Sequence, residues 1–577
     1  MRPDRFRPGI FTGLAICCAL TGILDAQTPR EYRTPVFTRA DTLRGMLRPE
    51  RTCYDVRWYD LDVRVDPEHR SISGSNTVRF TALEPSSRLQ IDLFENMTLE
   101  SAALDGGRPL PFTREFNAVF IVLKEPLRPG TTHDLFLRYS GTPQTAKNPP
   151  WDGGLIWTKD SSGNPWVAVA CQGTGASLWW PNKDHQSDKP DSMRIRVTVP
   201  PGLEDVSNGR LRSVTTLPDG WRRYDWAVTY PINNYCVTIN VGKFAHFGET
   251  YAGADTLTLD YYVLPGNLGK AQKQFAQVKP MIACYEKYFG AYPFARDGYK
   301  LVESPHLGME HQSAVAYGNG FRQGYRGTSS SAWGLMFDFI IIHESAHEWW
   351  GNSVTAKDIA DMWIHESFGA HAEVMYVECM FGTQAMLDYV NAKKPQVGNR
   401  RAILGPYNVN NEGSGDMYPK GSLMLNTLRG ALDNDSLWFA LIRGMATEFR
   451  YKTVTTEDLV AFVNRGTGTD YTYFFDQYLR YPGLPKLDVI LTATGGNLTC
   501  RYRWRADVKE FHMPVKVTTS PGTFAFIRPT AEWQTMDLGS MDPKQFRYAE
   551  DWFYIDTQIR IVYRVTDQGG GETVIPR

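Results

Sequence analysis

The sequence predicts a multidomain α+β protein in three parts: an N-terminal antiparallel β domain, a helix-rich domain, and a small C-terminal β-sandwich-like domain. Two observations carry this reading. Apolar residues recur at every second position from about Arg51 to Phe247, at every third or fourth from about residue 267 to Leu479, and at every second again beyond Pro482-Gly483-Leu484-Pro485. The 577 residues exceed a typical domain several times over, and 42% apolar residues with 22% charged supply a core for each part. The expected divisions are 1–26, a signal peptide; 27–50, a linker; 51–247, the β domain; 248–485, the helix-rich domain; and 486–577, the small β domain.

The first segment carries Arg2, Arg5 and Arg7 ahead of an uncharged, mostly apolar run from Ile10 to Leu24. This is the pattern of a secretory leader, too short to span a bilayer, with cleavage after Ala26. Cys17 leaves a lipoprotein signal as the alternative. The expected location is therefore secreted or periplasmic, and no later stretch is apolar enough to span. In the β domain, Leu61, Val63 and Val65 alternate with Asp60, Asp62 and Arg64, and Met193, Ile195, Val197 and Val199 with Arg194, Arg196 and Thr198. Next, Phe275, Val278, Ile282, Tyr285 and Phe289 step by three and four, which predicts an amphipathic helix kinked at Pro280. In the last part Leu498, Cys500, Tyr502 and Trp504 alternate with polar residues, as do Ile559, Ile561 and Tyr563.

Charge excludes some functions. Lys+Arg 62 against Asp+Glu 63 leave a net charge of −1, with no basic footprint for nucleic acid or an anionic membrane. Six cysteines follow the leader (Cys53, Cys171, Cys236, Cys284, Cys379 and Cys500), scattered and without a CxxC pair. One or two disulfides and six buried thiols are both open readings.

The helix-rich part contains His343-Glu344-Ser345-Ala346-His347. On a helix the two histidines lie one turn apart, so their imidazoles can share a metal ion, and Glu344 lies beside them within reach of a water on that metal. A chance motif of this kind is expected about once in a hundred chains of this composition. Zinc in a hydrolytic site wants three protein ligands and one open position. Glu366, on a second helical pattern from Asp361 to Met380, completes a His-His-Glu set. Glu373, seven residues on and on the same face, can orient a ligating imidazole. Upstream, Leu307-Gly308-Met309-Glu310-His311 places a carboxylate at the edge of a cleft. Downstream, Tyr418 starts a helix whose first turn holds Pro419, a position from which a phenol can point into that cleft.

These residues resemble the aminopeptidase-N family of zinc metallopeptidases, gluzincins that include leukotriene hydrolase. His343-Glu344-x-x-His347 with eighteen residues before Glu366 is similar to the family's zinc motif, and Leu307–His311 to its Gly-x-Met-Glu-Asn segment. Trp363-Ile364-His365-Glu366-Ser367-Phe368 matches the surroundings of the third ligand, and Gly351-Asn352 the Gly-Asn after the zinc helix. Tyr418-Pro419-Lys420-Gly421 matches the Tyr-x-Lys-Gly motif, and Cys171-Gln172-Gly173 the segment entering the amino-terminal pocket. The resemblance covers about residues 51–577. It implies a saddle-like β domain and a thermolysin-like catalytic domain, without the large C-terminal helical domain of many relatives. Leu307 and His311 depart from the pattern; His311 is expected to alter pocket charge near neutral pH.

The reading that follows is a zinc aminopeptidase with one Zn²⁺ per chain on His343, His347 and Glu366. Glu344 is the general base and Tyr418 the oxyanion donor. Glu310 with Gln172 would hold the free ammonium of a peptide substrate, and Gly308 and Met309 would line its path. Two alternatives remain: an endopeptidase or epoxide hydrolase using the same zinc site, and an inactive peptide-binding module.

Overall fold

A computed structural model describes residues 36–566 and 572–576. The expected leader, residues 1–26, and the start of the linker lie outside the described residues. Period two gives the expected half-buried strands. In strand Tyr54–Asp66, Leu61, Val63 and Val65 are buried while their polar neighbours turn outward. This strand lies in a seven-stranded sheet ordered Arg210–Thr216, Arg222–Val228, Ser192–Val199, Tyr54–Asp66, Ser71–Ala82, Thr132–Gly141 and Met97–Leu104. Neighbours are antiparallel except Tyr54–Asp66 with Ser192–Val199, which run parallel with Leu61 opposite Ile195 and Val63 opposite Val197. Both rows face the core, so the pairing buries two alternating stripes at once. A four-stranded sheet includes Pro165–Ala170, whose buried end runs directly into Cys171-Gln172.

A five-stranded sheet introduces the helical region: Ala245–Ala252, Thr256–Val263, Tyr299–Glu303, Val315–Tyr317 and, at its edge, Gly308–Met309. Residue 247, where the first period-two region ends, lies inside the first of these strands. Helix α1 spans Val278–Phe289. The expected kink at Pro280 is absent because Pro280 is the third residue of α1, preceded by a 3₁₀ turn at Phe275–Gln277. In a first turn the backbone N–H has no helical partner, so the ring removes nothing and its fixed φ suits the start.

Four further helices matter here: α2 (Phe339–Ala346), α3 (Trp363–Phe381), α4 (Thr383–Asn391) and α5 (Pro419–Leu432). The C-terminal region forms a five-stranded sheet around Lys486–Thr494 and a hairpin of Val515–Ser520 with Thr523–Ile527. Its buried Leu487, Val489 and Trp504 join one apolar cluster with the residues of α1, α2, α3 and α5. The β domain has a separate core that extends to Val302, Met309 and Ala316 of the five-stranded sheet. Met309 thus stands where the two cores meet. Among the described residues no helix is long and apolar enough to cross a membrane.

One disulfide, Cys284–Cys379, joins α1 to α3, and Cys53, Cys171, Cys236 and Cys500 are buried thiols. The two open readings of the cysteines each hold for part of the set. The bridge closes a long loop, with a sequence separation of 95. Replacing both partners by serine is expected to cost about 2–4 kcal/mol, mainly by releasing the unfolded chain. Thermal unfolding of the double variant, against the parent with and without reductant, measures this. An unchanged midpoint in both comparisons would show that the bridge contributes nothing.

Candidate metal centre

Helix α2 begins at Asp338, whose carboxylate accepts from the Ile340 N–H at 3.1 Å as a cap for an otherwise unpaired donor. That carboxylate is itself held by Tyr317 Oη, Gln274 Nε2 and Asn319 Nδ2 at 2.7–2.8 Å. The start of the helix is thus fixed from three directions. One turn apart at its far end, His343 and His347 bring their Nε2 atoms to 3.3 Å. Their other ring nitrogens are occupied. His343 Nδ1 meets Glu373 Oε1 at 2.8 Å, and His347 Nδ1 meets the Trp350 carbonyl at 2.8 Å. Both acceptors require Nδ1–H, which leaves the two Nε2 atoms turned toward each other as the positions a metal would take.

Helix α3 supplies Glu366, whose Oε2 lies 3.6 Å from His343 Nε2 and 3.5 Å from His347 Nε2. This oxygen is buried and accepts no hydrogen bond. The three candidate ligand atoms all lie within 4.8 Å of one another. Tetrahedral ligands at about 2.1 Å from zinc stand roughly 3.4 Å apart. Two nitrogens and one oxygen at this spacing, with an unsatisfied buried oxygen among them, fit a zinc ion. Burial disfavours charge on His347, yet Glu366 outweighs it and holds the imidazole up to about 9. A metal held by the trio would take the place of the proton on His347 Nε2. Glu373 behaves differently: burial opposes its charge, but Lys393 Nζ at 2.7 Å and His343 bring it down to about 2. Tyr389 Oη also donates to it at 2.6 Å.

The other predicted residues converge on a cavity of about 720 Å³ above the trio, lined from both sides. Glu310, Gly308 and Met309 come from the edge strand and its exit, Gln172 from the β domain, Glu344 from α2, and Tyr418 from the start of α5. Gln172 Nε2 donates to Glu310 Oε1 at 2.7 Å and to Glu366 Oε1 at 2.8 Å, joining the two carboxylates through one amide. Burial raises Glu310, and burial with the neighbouring charge of Glu310 raises Glu344 to about 7. At Gly308 an added Cβ would stand 2.8 Å from both Glu344 Oε1 and Ile340 Cγ2, so the strand edge lies close against α2. The Tyr418 ring is centred 6.1 Å from that of His343. Burial, then the charges of Glu366 and Glu412, push its phenol well above the usual range, so it stays protonated.

Residues 274–478 match the peptidase family M1 domain, and residues 56–236 match the peptidase M1 N-terminal domain. The chain belongs to peptidase family M1. Relatives include endoplasmic reticulum aminopeptidase 1 of Homo sapiens, 22% identical over 70% of this chain and 44% of that protein, and aminopeptidase B of Mus musculus, 21% identical over 75% of this chain and 70% of that protein. The chain spans less than half the length of the endoplasmic reticulum aminopeptidases it matches. Among solved structures, a mutant M1 zinc metallopeptidase of Deinococcus radiodurans bound to Tyr-Ser-Ala substrate has a TM-score of 0.63 at 23% identity, covering 75% of this chain and 95% of that one. The shared fold is a β-rich N-terminal domain, a helical central region and C-terminal β sheets.

Some parts of this M1 site escape a reading of the sequence. Tyr235 Oη donates to Glu310 Oε1 at 3.1 Å, and Asn352 Nδ2 holds the Glu310 carbonyl at 2.8 Å. Tyr389 and Lys393 complete the surroundings of Glu373. Asn352 follows the zinc helix in a Gly-Asn pair, a signal of its presence but not of its contact. Nothing local marks Tyr235. Among the departures from the family pattern, Leu307 is buried and lines the cavity. His311 does not carry charge there as expected. It lies buried beside His306, outside the cavity lining, and burial holds it well below its ordinary value, hence neutral.

Proposed function

We propose that this chain is an exported zinc aminopeptidase that removes the N-terminal residue of peptides. The observation that carries the reading is the single Gln172 amide joining Glu310 to Glu366, which sets an ammonium-binding carboxylate one side chain away from a metal ligand. His343, His347 and Glu366 would hold the zinc. When bound, zinc supplies Lewis acidity that polarises a carbonyl and lowers the pKa of water. Glu310 would pair with the substrate's α-ammonium, whose charge favours the ionised carboxylate that burial alone opposes, so only the first peptide bond would reach the metal. Glu344 accepts a proton on its carboxylate from the attacking water and returns it to the leaving amine. Tyr418 Oη donates to the oxygen on which charge develops. Glu373 keeps the His343 tautomer. The peptide seen in the D. radiodurans relative supports a peptide as substrate.

The test is a set of aminoacyl reporter amides, each free and N-acetylated, with and without chelator. Cleavage of free-amine substrates alone, lost with chelator and restored by zinc, is expected. Equal cleavage of the acetylated partners would overturn exopeptidase action and favour an endopeptidase. Glu310→Ala is expected to lower kcat/KM for free-amine substrates about ten- to a hundredfold, the worth of one charge-assisted contact. If the variant and parent discriminate equally between free and acetylated substrates, Glu310 is not the amine anchor.

Export is supported by the basic-then-apolar pattern of residues 2–24 and by the Cys284–Cys379 bridge, which belongs in an oxidising compartment. The protein recovered from its host is expected to begin at Gln27. An N-terminus at Met1 would count against a cleaved leader.

A further inference from the structure

One residue before Glu366, α3 carries a histidine that belongs neither to the metal trio nor to the cavity lining. His365 is completely buried. Its Nε2 accepts the Ala356 N–H at 2.8 Å, from the short strand Thr355–Ala356 that pairs with Thr453–Val454. A backbone N–H can only donate, so Nε2 is the bare nitrogen and the ring proton sits on Nδ1. Nδ1–H then donates to Tyr235 Oη at 3.4 Å. The phenol's own hydrogen goes on to Glu310 Oε1 at 3.1 Å. Every bond in this chain points the same way, from Ala356 through His365 and Tyr235 to the carboxylate.

The chain ends on an oxygen that already accepts Gln172 Nε2 at 2.7 Å. Glu310 Oε1 therefore holds two donors, while among the described residues no hydrogen bond reaches Oε2. That second oxygen is the one left for a ligand. A hydrogen bond received by a hydroxyl strengthens the bond that the hydroxyl gives. Donors on a carboxylate also favour its charged form, which is the form an ammonium needs. Without the Nδ1 donor the phenol hydrogen loses its fixed direction, and Glu310 loses one of the two holds that keep Oε1 turned away from the cavity.

We infer that His365 is a positioning residue for amine binding, setting the Tyr235 hydroxyl as a donor to Glu310 and so presenting Oε2 to the ammonium. The inference rests on the reading of Glu310 as the amine anchor. Neither His365 nor Tyr235 makes or breaks a bond in this scheme, so the effect falls on affinity for the amine and not on turnover of bound substrate.

Two substitutions divide the ring between its two contacts. In His365→Asn the amide stands where Nδ1 stands and can still donate to Tyr235, while the Ala356 contact is lost. In His365→Gln the amide reaches the place of Nε2 and can still accept from Ala356, while the donor to Tyr235 is lost. Calorimetry with L-leucine on the zinc-loaded proteins is expected to show parent-like affinity in His365→Asn and roughly three- to tenfold weaker binding in His365→Gln, the worth of one net hydrogen bond. In the Tyr235→Phe background His365→Gln is expected to add nothing further. On the free-amine reporters His365→Gln is expected to raise KM by a similar factor with kcat little changed. Parent-like affinity in His365→Gln, a His365→Asn protein as weak as His365→Gln, or a His365→Gln effect undiminished in the Tyr235→Phe background would overturn the inference. So would unchanged leucine affinity in Tyr235→Phe alone, a result that can be read even where a His365 variant fails to fold. Leucine and N-acetyl-leucine binding the parent equally would instead remove the Glu310 reading, and this inference with it.

Discussion

Glu344→Gln is expected to keep zinc and fold while turnover falls by about 10²–10⁴, the range that general acid–base catalysis supplies. The separation of effects follows from position. Glu344 precedes Ser345 on α2 and faces the cavity, but it is not among the three residues whose ligand atoms cluster. Its carboxyl, raised to about 7 by burial first and by neighbouring Glu310, is near the balance point at which a group both accepts and returns a proton. Glutamine preserves volume and one acceptor oxygen while removing the basic site. Metal content by elemental analysis and kcat on a free-amine reporter measure the two effects together. Near-normal turnover in the zinc-loaded variant would remove Glu344 from the role of base.

Tyr418→Phe carries the next largest effect. The residue immediately precedes α5, lines the cavity and is about 37% exposed. Its phenol remains protonated beside Glu366 and Glu412, so it can donate at any working pH. A donor aimed at developing charge is worth more in the transition state than in the bound substrate. Losing it is expected to lower kcat by about 10²–10³ with KM little changed. A variant with raised KM and unaltered kcat would make Tyr418 a substrate-contact residue and move the oxyanion role elsewhere.

The parts of the site legible in the sequence are those fixed by helical period. His343 and His347 share a face because one turn separates them, and Glu373 reaches His343 because α3 carries it two turns beyond Glu366. Local chemistry also marks the start of α5 at Tyr418-Pro419. What stays hidden depends on contacts between distant segments. Gln172 meets Glu310 and Glu366 across 138 and 194 residues, and no periodicity encodes that meeting. The same holds for the partner of Cys284 and for the parallel pairing inside the large sheet. Pro280 shows a subtler limit: proline breaks a helix interior and begins one equally well, and only the boundary decides which. His311 makes a related point, since a histidine's charge depends on burial that its neighbours in sequence do not reveal.

The Gln172 amide has one further consequence. Its nitrogen carries two hydrogens, and both are engaged, one by each carboxylate. A cation that draws Glu310 toward itself frees one of those hydrogens and changes the polarity felt by Glu366. If both bind as proposed, metal and amine are mutual effectors: whatever factor an N-terminal amine applies to zinc affinity, zinc applies to amine affinity. Under the proposed function, a free amino acid bound at Glu310 would accordingly shift the affinity of the trio for zinc, so protein stored with that amino acid and protein stored without it should exchange zinc at different equilibrium positions.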